Sequence, residues 1–281
     1  MKITKKDLLL ISIFTVAISL ITFVGSKIIG NTIYIIAFII SIVFLLFVLA
    51  EFYRRLNGHI KKIHTDIIQQ SMDNYHQIES LFSLFSTIEP RFPLPEMRKW
   101  AASPDLLKLI TEIIFTNKPE FVVEASSGVS TIVIALCLKI LGSGKVISLE
   151  HEDKYADITK HYISLHGLND FATVIHCPLK AYSIKDKKYL WYNLKNAQFQ
   201  NPIDVLVVDG PPAATQHMAR YPALPLLYEK MNNESIILLD DGIREDEKKI
   251  VELWKKEFDS INEEYIELEK GAFYIRVKKE K

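Results

Sequence analysis

The stretch Phe121-Val-Val-Glu-Ala-Ser-Ser-Gly-Val-Ser-Thr131 decides how this chain is read. A short run of strand formers ends on Glu124, the small residues Ala125, Ser126, Ser127 and Gly128 follow, and Ile132 to Leu141 resumes as an apolar, helix-compatible segment. Strand, tight turn and helix start, in that order, are the layout by which an open parallel sheet holds a nucleotide-like ligand at its carboxyl edge.

Working outward, further strands are expected at Val146 to Glu150, Thr173 to His176, Asp204 to Asp209 and Ser235 to Asp240, separated by segments of helical character. That alternation predicts a doubly wound parallel sheet. Val205-Leu-Val-Val208 is continuously apolar, as a strand buried on both faces should be. Tyr265 to Leu268 and Ala272 to Val277 flank Glu-Lys-Gly and predict a closing hairpin. Upstream, Ser103-Pro104-Asp105 starts a helix with a hydroxyl cap, a first-turn proline and an acid near the positive end of the dipole.

The beginning of the chain has another character. Leu8 to Val24 and Ile33 to Ala50 are uncharged apolar runs, each long enough as a helix to cover roughly 25 Å of hydrocarbon. The first is too long for a signal-peptide core and lacks an A-x-A site. Lys2, Lys5 and Lys6 precede the pair, Arg54, Arg55, Lys61 and Lys62 follow it, and only Lys27 lies in the link. The positive-inside rule then predicts a transmembrane hairpin in a cell (inner) membrane, with both ends and the large domain cytoplasmic.

Beyond the second run, Phe52, Leu56, Ile60, Ile63 and Ile67 recur at helical spacing, and the seam passes Gln70, Asn74 and Gln77 before Leu81, Leu84 and Ile88. A homodimer through this neck and a helix packed on a membrane or on its own domain both remain open. Glu89-Pro-Arg-Phe-Pro-Leu-Pro95 ends the helix. The expected organisation is a membrane hairpin at 1–50, a helical neck and linker at 51–95, and an α/β domain at 96–281. Balanced charge, 34 basic against 34 acidic residues, argues against nucleic acid as a partner. The two cysteines, Cys137 and Cys177, lack metal-ligand spacing and read as core thiols.

The ordered set Glu-x-Ser-Ser-Gly-x-Ser-Thr, Ile-Ser-Leu-Glu150, Asp-Val-Leu-Val-Val-Asp209-Gly-Pro-Pro and Leu-Leu-Asp240-Asp241 resembles class I S-adenosylmethionine-dependent methyltransferases, from about Ser103 to the end. The resemblance implies a doubly wound, seven-stranded Rossmann-like sheet closed by an antiparallel hairpin. It implies that Glu124, Ala125, Ser126, Ser127 and Gly128 cradle the methionine part of the cofactor, with Ser130 and Thr131 at the helix start. Ser126 departs from the family's pattern by standing where its first glycine is expected.

Glu150, 22 residues after Gly128, falls where an open sheet presents an acid to ribose hydroxyls, with His151 as a wall beside it. Pro178 and Leu179 are similar to the family segment that passes the adenine ring. Asp209 would lie where the methyl group is transferred and position the acceptor, and His217 is the candidate general base. Trp191, Tyr192, Arg220 and Tyr221 are candidate acceptor-site residues, although Arg220 is equally suited to pairing with an acid. Asp209, Asp240 and Asp241 would suit Mg²⁺ or another divalent cation, as in some catechol-type members of the fold.

The function expected is therefore that of a membrane-anchored methyltransferase, with O-methylation of a small-molecule or lipid-linked acceptor at the cytoplasmic face. A non-catalytic membrane-tethered nucleotide-binding or scaffold protein and an aminopropyltransferase on the same fold are the alternatives.

Overall fold

A computed structural model of the chain describes residues 5–197, 199 and 201–279. Lys2, one of the charges used to orient the apolar hairpin, lies outside the described residues. The chain divides into two compact units, Met1–Met72 and Asp73–Lys281.

In the first unit, α1 (Lys5–Ile29) and the start of α2 (Thr32–Ile88) are antiparallel, as expected from the two apolar runs. The Phe14 and Phe44 rings stack at 3.5 Å, and Arg55 reaches Asp7 at 3.1 Å. Gly25 allows the close approach of α2, since a methyl group there would meet the Ile33 side chain. Large apolar side chains such as Leu20, Phe23, Phe38 and Phe47 face outward. The hydroxyls of Thr15, Ser19, Thr22 and Ser41 donate to carbonyls one turn back at 2.6–2.9 Å, so these polar groups are satisfied within their own helices. Both helices are long and apolar enough to cross a membrane.

In the second unit, the end of α2 buries Gln77, Ser80, Leu84 and Ile88 and leaves Tyr75, Ile78 and Phe82 exposed. Leu84 and Ile88 join a core with α3 (Pro104–Asn117). That core also takes in α4 (Val129–Leu141), α5 (Asp153–Leu165) and one face of the central sheet. The seam expected in the neck is therefore partly spent on the chain's own domain.

The central sheet contains β1 (Phe121–Ala125), β2 (Lys145–Glu150), β3 (Ala172–His176), β6 (Ile203–Val208), β7 (Met231–Asp240), β8 (Ile261–Ile266) and β9 (Ala272–Lys278). Its order is β3-β2-β1-β6-β7-β9-β8. The pairs among β3, β2, β1, β6 and β7 are parallel, and β9 runs antiparallel to β7 and β8. This is the seven-stranded sheet with a closing hairpin that the sequence predicts. Val122, Val205, Val207, Ile236 and Leu238 point to one core, and Val123, Leu206, Val208, Ile237 and Leu239 to the other. Both faces are covered, which explains why the strands read as unbroken apolar runs, each such side chain contributing about 1.5–3 kcal/mol.

One crossover departs from the expected helical segments. Between β3 and β6 the chain forms β4 (Leu179–Ile184) and β5 (Lys187–Tyr192), an antiparallel hairpin separate from the main sheet. With α6 (Ala223–Leu227) and α7 (Glu245–Glu257) it covers the second face, inserting Tyr189, Trp191 and Tyr192 into that core.

Candidate active site

Register brings the candidate residues to one edge. Glu124 pairs with Ser148 and Val207, Ala125 with Leu149 and Val208, and Glu150 with His176. The turn after β1, Glu150 after β2, Asp209 after β6 and Asp240 at the end of β7 thus emerge side by side.

At the turn, Ser126 has φ +139° and Gly128 has φ +153°. Glycine adopts this backbone freely, whereas a serine there is strained by roughly 1–3 kcal/mol. The position where the sequence lacks an expected glycine is thus one whose conformation calls for glycine. The Ser126 N–H donates to Leu149 O at 3.1 Å, and the Asp209 N–H to Ala125 O at 3.2 Å, tying the turn to both neighbouring strands.

Glu124 is fully buried, and its Oε2 accepts from Thr131 and Ser148, both at 2.6 Å. Thr131 also accepts from the Gly128 N–H at 3.1 Å, so one hydroxyl locks turn, helix and strand. Oε1 has the Ser130 hydroxyl nearby but no partner in hydrogen-bonding geometry. Burial pushes this carboxyl above its ordinary pKa, against the pull of those hydroxyls.

Glu150 is nearly buried, and its Oε1 accepts from the N–H groups of His151 and Glu152 at 2.8 and 3.0 Å, while Oε2 accepts from Ser127 at 2.9 Å. His151 Nδ1 is 3.0 Å from Oε1, though out of hydrogen-bond alignment. Burial works to raise the pKa of Glu150, but His151 and these donors outweigh it and keep the carboxylate below its ordinary value. Glu150 in turn raises that of His151.

The second cluster is built around Arg220, whose side chain is only 4% exposed. Its Nη2 donates to Asp209 Oδ1 at 3.1 Å and to Asp241 Oδ2 at 2.5 Å, and Nη1 donates to Asp240 O at 2.8 Å. Glu247 lies 3.8 Å away, and Arg244 reaches Asp241 at 2.8 Å. Asp241 has φ +59°, which turns its carboxylate back onto the two arginines. Burial opposes the charge of Arg220, yet Asp209 and Asp241 hold it protonated above its ordinary range. Burial raises the pKa of Asp209, and with Asp209 and Asp241 as neighbours it raises that of Asp240 well above the carboxylate range. Asp240 Oδ2 is buried without a partner.

Acid oxygens of Asp209, Asp240 and Asp241 lie within 4.8 Å of one another, the spacing of a cation site. The positive charge at that cluster is, however, the Arg220 guanidinium, already bonded to two of the three carboxylates. A divalent ion would have to compete with a buried, internally satisfied cation, so the donor set does not fit a metal in this arrangement.

Trp191 and Tyr192, candidates for the acceptor site, belong to β5 and are buried. Tyr192 enters the edge itself. A methyl group built on Gly210 would run into the Tyr192 hydroxyl and lie 3.1 Å from Ala125 O and 3.4 Å from Ser126 Cβ. The His151 ring meets the Tyr192 ring at 6.0 Å. Burial, then Glu150 and Asp209, raises the Tyr192 pKa well above the ordinary phenol range. Leu179 starts β4 after Pro178, and the Cys177 N–H donates to Glu150 O at 2.6 Å, placing this segment against the end of β2.

Two candidates lie elsewhere. The His217 side chain is 67% exposed and bonds Asp246 of α7 at 2.8 Å rather than Asp209, Asp240 or Asp241. The Tyr221 hydroxyl donates to Glu257 at 2.8 Å, and its ring packs on Tyr189. Glu247 and Lys270, the latter close enough to lower the pKa of Asp209, were not singled out in the sequence. Glu247 sits three residues after Arg244 in a run of charges that looks solvent-facing, and no local signal marks it as buried.

Residues 125–242 match the model of a family described as a methyltransferase domain. Similar solved structures include the SAH-bound Podospora anserina methyltransferase PaMTH1, at 14% identity and TM-score 0.51, covering 71% of this chain and 88% of that one. The SAH-complexed O-methyltransferase from Bacillus cereus is 17% identical with TM-score 0.50, covering 74% and 97%. The O-methyltransferase TomG from Streptomyces achromogenes, solved with SAM, is 11% identical with TM-score 0.50, covering 75% and 96%. No curated protein sequence matches this chain. Residues 125–242 thus match a methyltransferase domain, and the sheet that carries them has the class I S-adenosylmethionine-dependent methyltransferase fold.

Proposed function

We propose that this protein methylates a hydroxyl of a small-molecule or lipid-linked acceptor at the cytoplasmic face of a membrane. The observation that carries the site assignment is the convergence of the strained turn 125–128, Glu150 and Asp209 on one sheet edge. The residues fit the cofactor chemically. Glu150 offers a carboxylate for a vicinal diol, the unpartnered Glu124 Oε1 offers an acceptor at the end of β1, and Ser126 and Gly128 expose the backbone in a glycine-type bend. S-adenosylmethionine supplies an electrophilic methyl group on a sulfonium. The protein's own task is to align the acceptor and take its proton.

Asp209 is the residue suited to that proton. Burial strengthens it as a base, while Arg220 holds a share of it ionised. Arg220 thereby supplies the electrostatic role that a cation would otherwise fill. His217, turned towards Asp246, has no part in this reading. The outward apolar surface of the first unit and the basic residues flanking the two spans support membrane anchoring, with the catalytic domain on the cytoplasmic side. The likeness in fold to O-methyltransferases from Bacillus cereus and Streptomyces achromogenes supports the O-methyl chemistry.

The test is titration of the full chain in detergent micelles with S-adenosylmethionine, followed by a methyl-transfer assay on membrane extracts with labelled donor. Label appearing in a base-stable, ether-type product of the lipid or small-molecule fraction supports the reading. Label only in nucleic acid would refute it.

A further inference from the structure

We propose that the β4–β5 hairpin is a strap that holds the cofactor crevice shut through Tyr192, and that it must lift for S-adenosylmethionine to enter. This rests on the assignment of the crevice between the turn 125–128, Glu150 and Asp209 as the cofactor site. Tyr192 is 1% exposed, and its hydroxyl stands between the turn after β1 and Gly210 after β6. Its ring faces His151 at the end of β2. One side chain from the hairpin thus occupies the meeting point of the three strand ends that would have to enclose the ligand.

The strap is built to move. It pairs with no strand of the main sheet, and its outward residues Lys180, Ala181, Ser183, Lys187, Lys188 and Leu190 are exposed. The polar ties to the rest of the domain are few among the described residues. The Gln216 side chain accepts from the Leu190 N–H at 2.9 Å and donates to Leu190 O at 3.2 Å, and the exposed Lys185 pairs with Glu257 at 2.8 Å. Inside, the closed packing leaves the Trp191 indole N–H buried and without a partner, which offsets part of the stabilisation from burying Tyr189, Trp191 and Tyr192. Gln216 belongs to the same loop as Arg220, which grips Asp209 and Asp241. Lifting the hairpin therefore pulls on the segment that carries the arginine, coupling cofactor entry to the acceptor side of the site.

A protein whose binding-competent state is a minor fraction binds with its affinity reduced by that fraction. Titration calorimetry of the full chain in micelles with S-adenosylmethionine compares wild type with Tyr192→Ala, Tyr192→Phe and Gln216→Ala. The strap predicts that Tyr192→Ala and Gln216→Ala bind on the order of tenfold more tightly, while Tyr192→Phe, which keeps the ring but loses the wedged hydroxyl, falls between them and wild type. It also predicts faster amide exchange in 187–192 when the cofactor is bound. If Tyr192→Ala does not fold, Gln216→Ala decides, because it releases the clamp from a partly exposed position. Weaker or unchanged binding in folded Tyr192→Ala, or unchanged binding and exchange in Gln216→Ala, overturns the strap. Folded protein that binds no cofactor in any form overturns the cofactor site itself, and the strap with it.

Discussion

Arg220 Nη2 donates to Asp209 Oδ1 at 3.1 Å from a side chain that is almost wholly enclosed. The same nitrogen also serves Asp241, so a single guanidinium neutralises acids from the ends of two strands. Removing it would leave buried carboxylates uncompensated. Arg220→Ala should destabilise the domain by about 3–5 kcal/mol, measured by chemical denaturation, and Arg220→Lys should recover only part because it lacks the fork geometry. A loss below 1 kcal/mol would show that the cluster is relieved in another way.

Asp240 makes the opposite prediction. Burial, then Asp209 and Asp241, raises its folded pKa well above the ordinary value. The folded state therefore binds this proton more tightly than the unfolded state. Stability from Asp240 is complete below the unfolded pKa of about 3.9 and is lost as pH rises through the folded value. Asp240→Asn should stabilise the protein at pH 8 and flatten the alkaline limb of a stability profile taken from pH 4 to 9. A steeper alkaline limb in the variant would contradict the assignment.

Much of this architecture is legible in the sequence because burial on both faces leaves unbroken apolar runs such as Val205 to Val208, and small residues mark the turn at 125–128. The β8–β9 hairpin shows for a similar reason, with Gly271 at φ +65° between its strands. The β4–β5 hairpin is harder to read. Its turn is Lys185-Asp186, without glycine, and its strands carry lysines, although Tyr189 and Trp191 keep the two-residue alternation that betrays a buried face. The direction of Arg220 and His217 is set by long-range packing, and no spacing in their loop distinguishes the one that turns in from the one that turns out.

Ser126 carries a local strain that can be relieved without touching any contact of its hydroxyl. Ser126→Gly should raise stability by about 1 kcal/mol, read from the denaturation midpoint, and should not weaken cofactor binding. Reduced stability would mean that the serine repays its backbone cost through a contact in the folded state.

Chelation addresses the charge at the acid cluster. With Arg220 in place, methyl transfer should survive dialysis against EDTA with at least most of its rate, and added Mg²⁺ should change little. Loss of turnover that is restored by a divalent cation would show that the ion displaces the guanidinium.

The most direct test of the central claim is calorimetric titration of the folded full-length chain with S-adenosylmethionine, with Glu150→Ala in parallel. Saturable one-site binding by the wild type, weakened by about 1–3 kcal/mol in the variant, is the result predicted from a lost charge-assisted hydrogen-bonding partner. Binding unaffected by Glu150→Ala, or no binding up to millimolar cofactor, would contradict it.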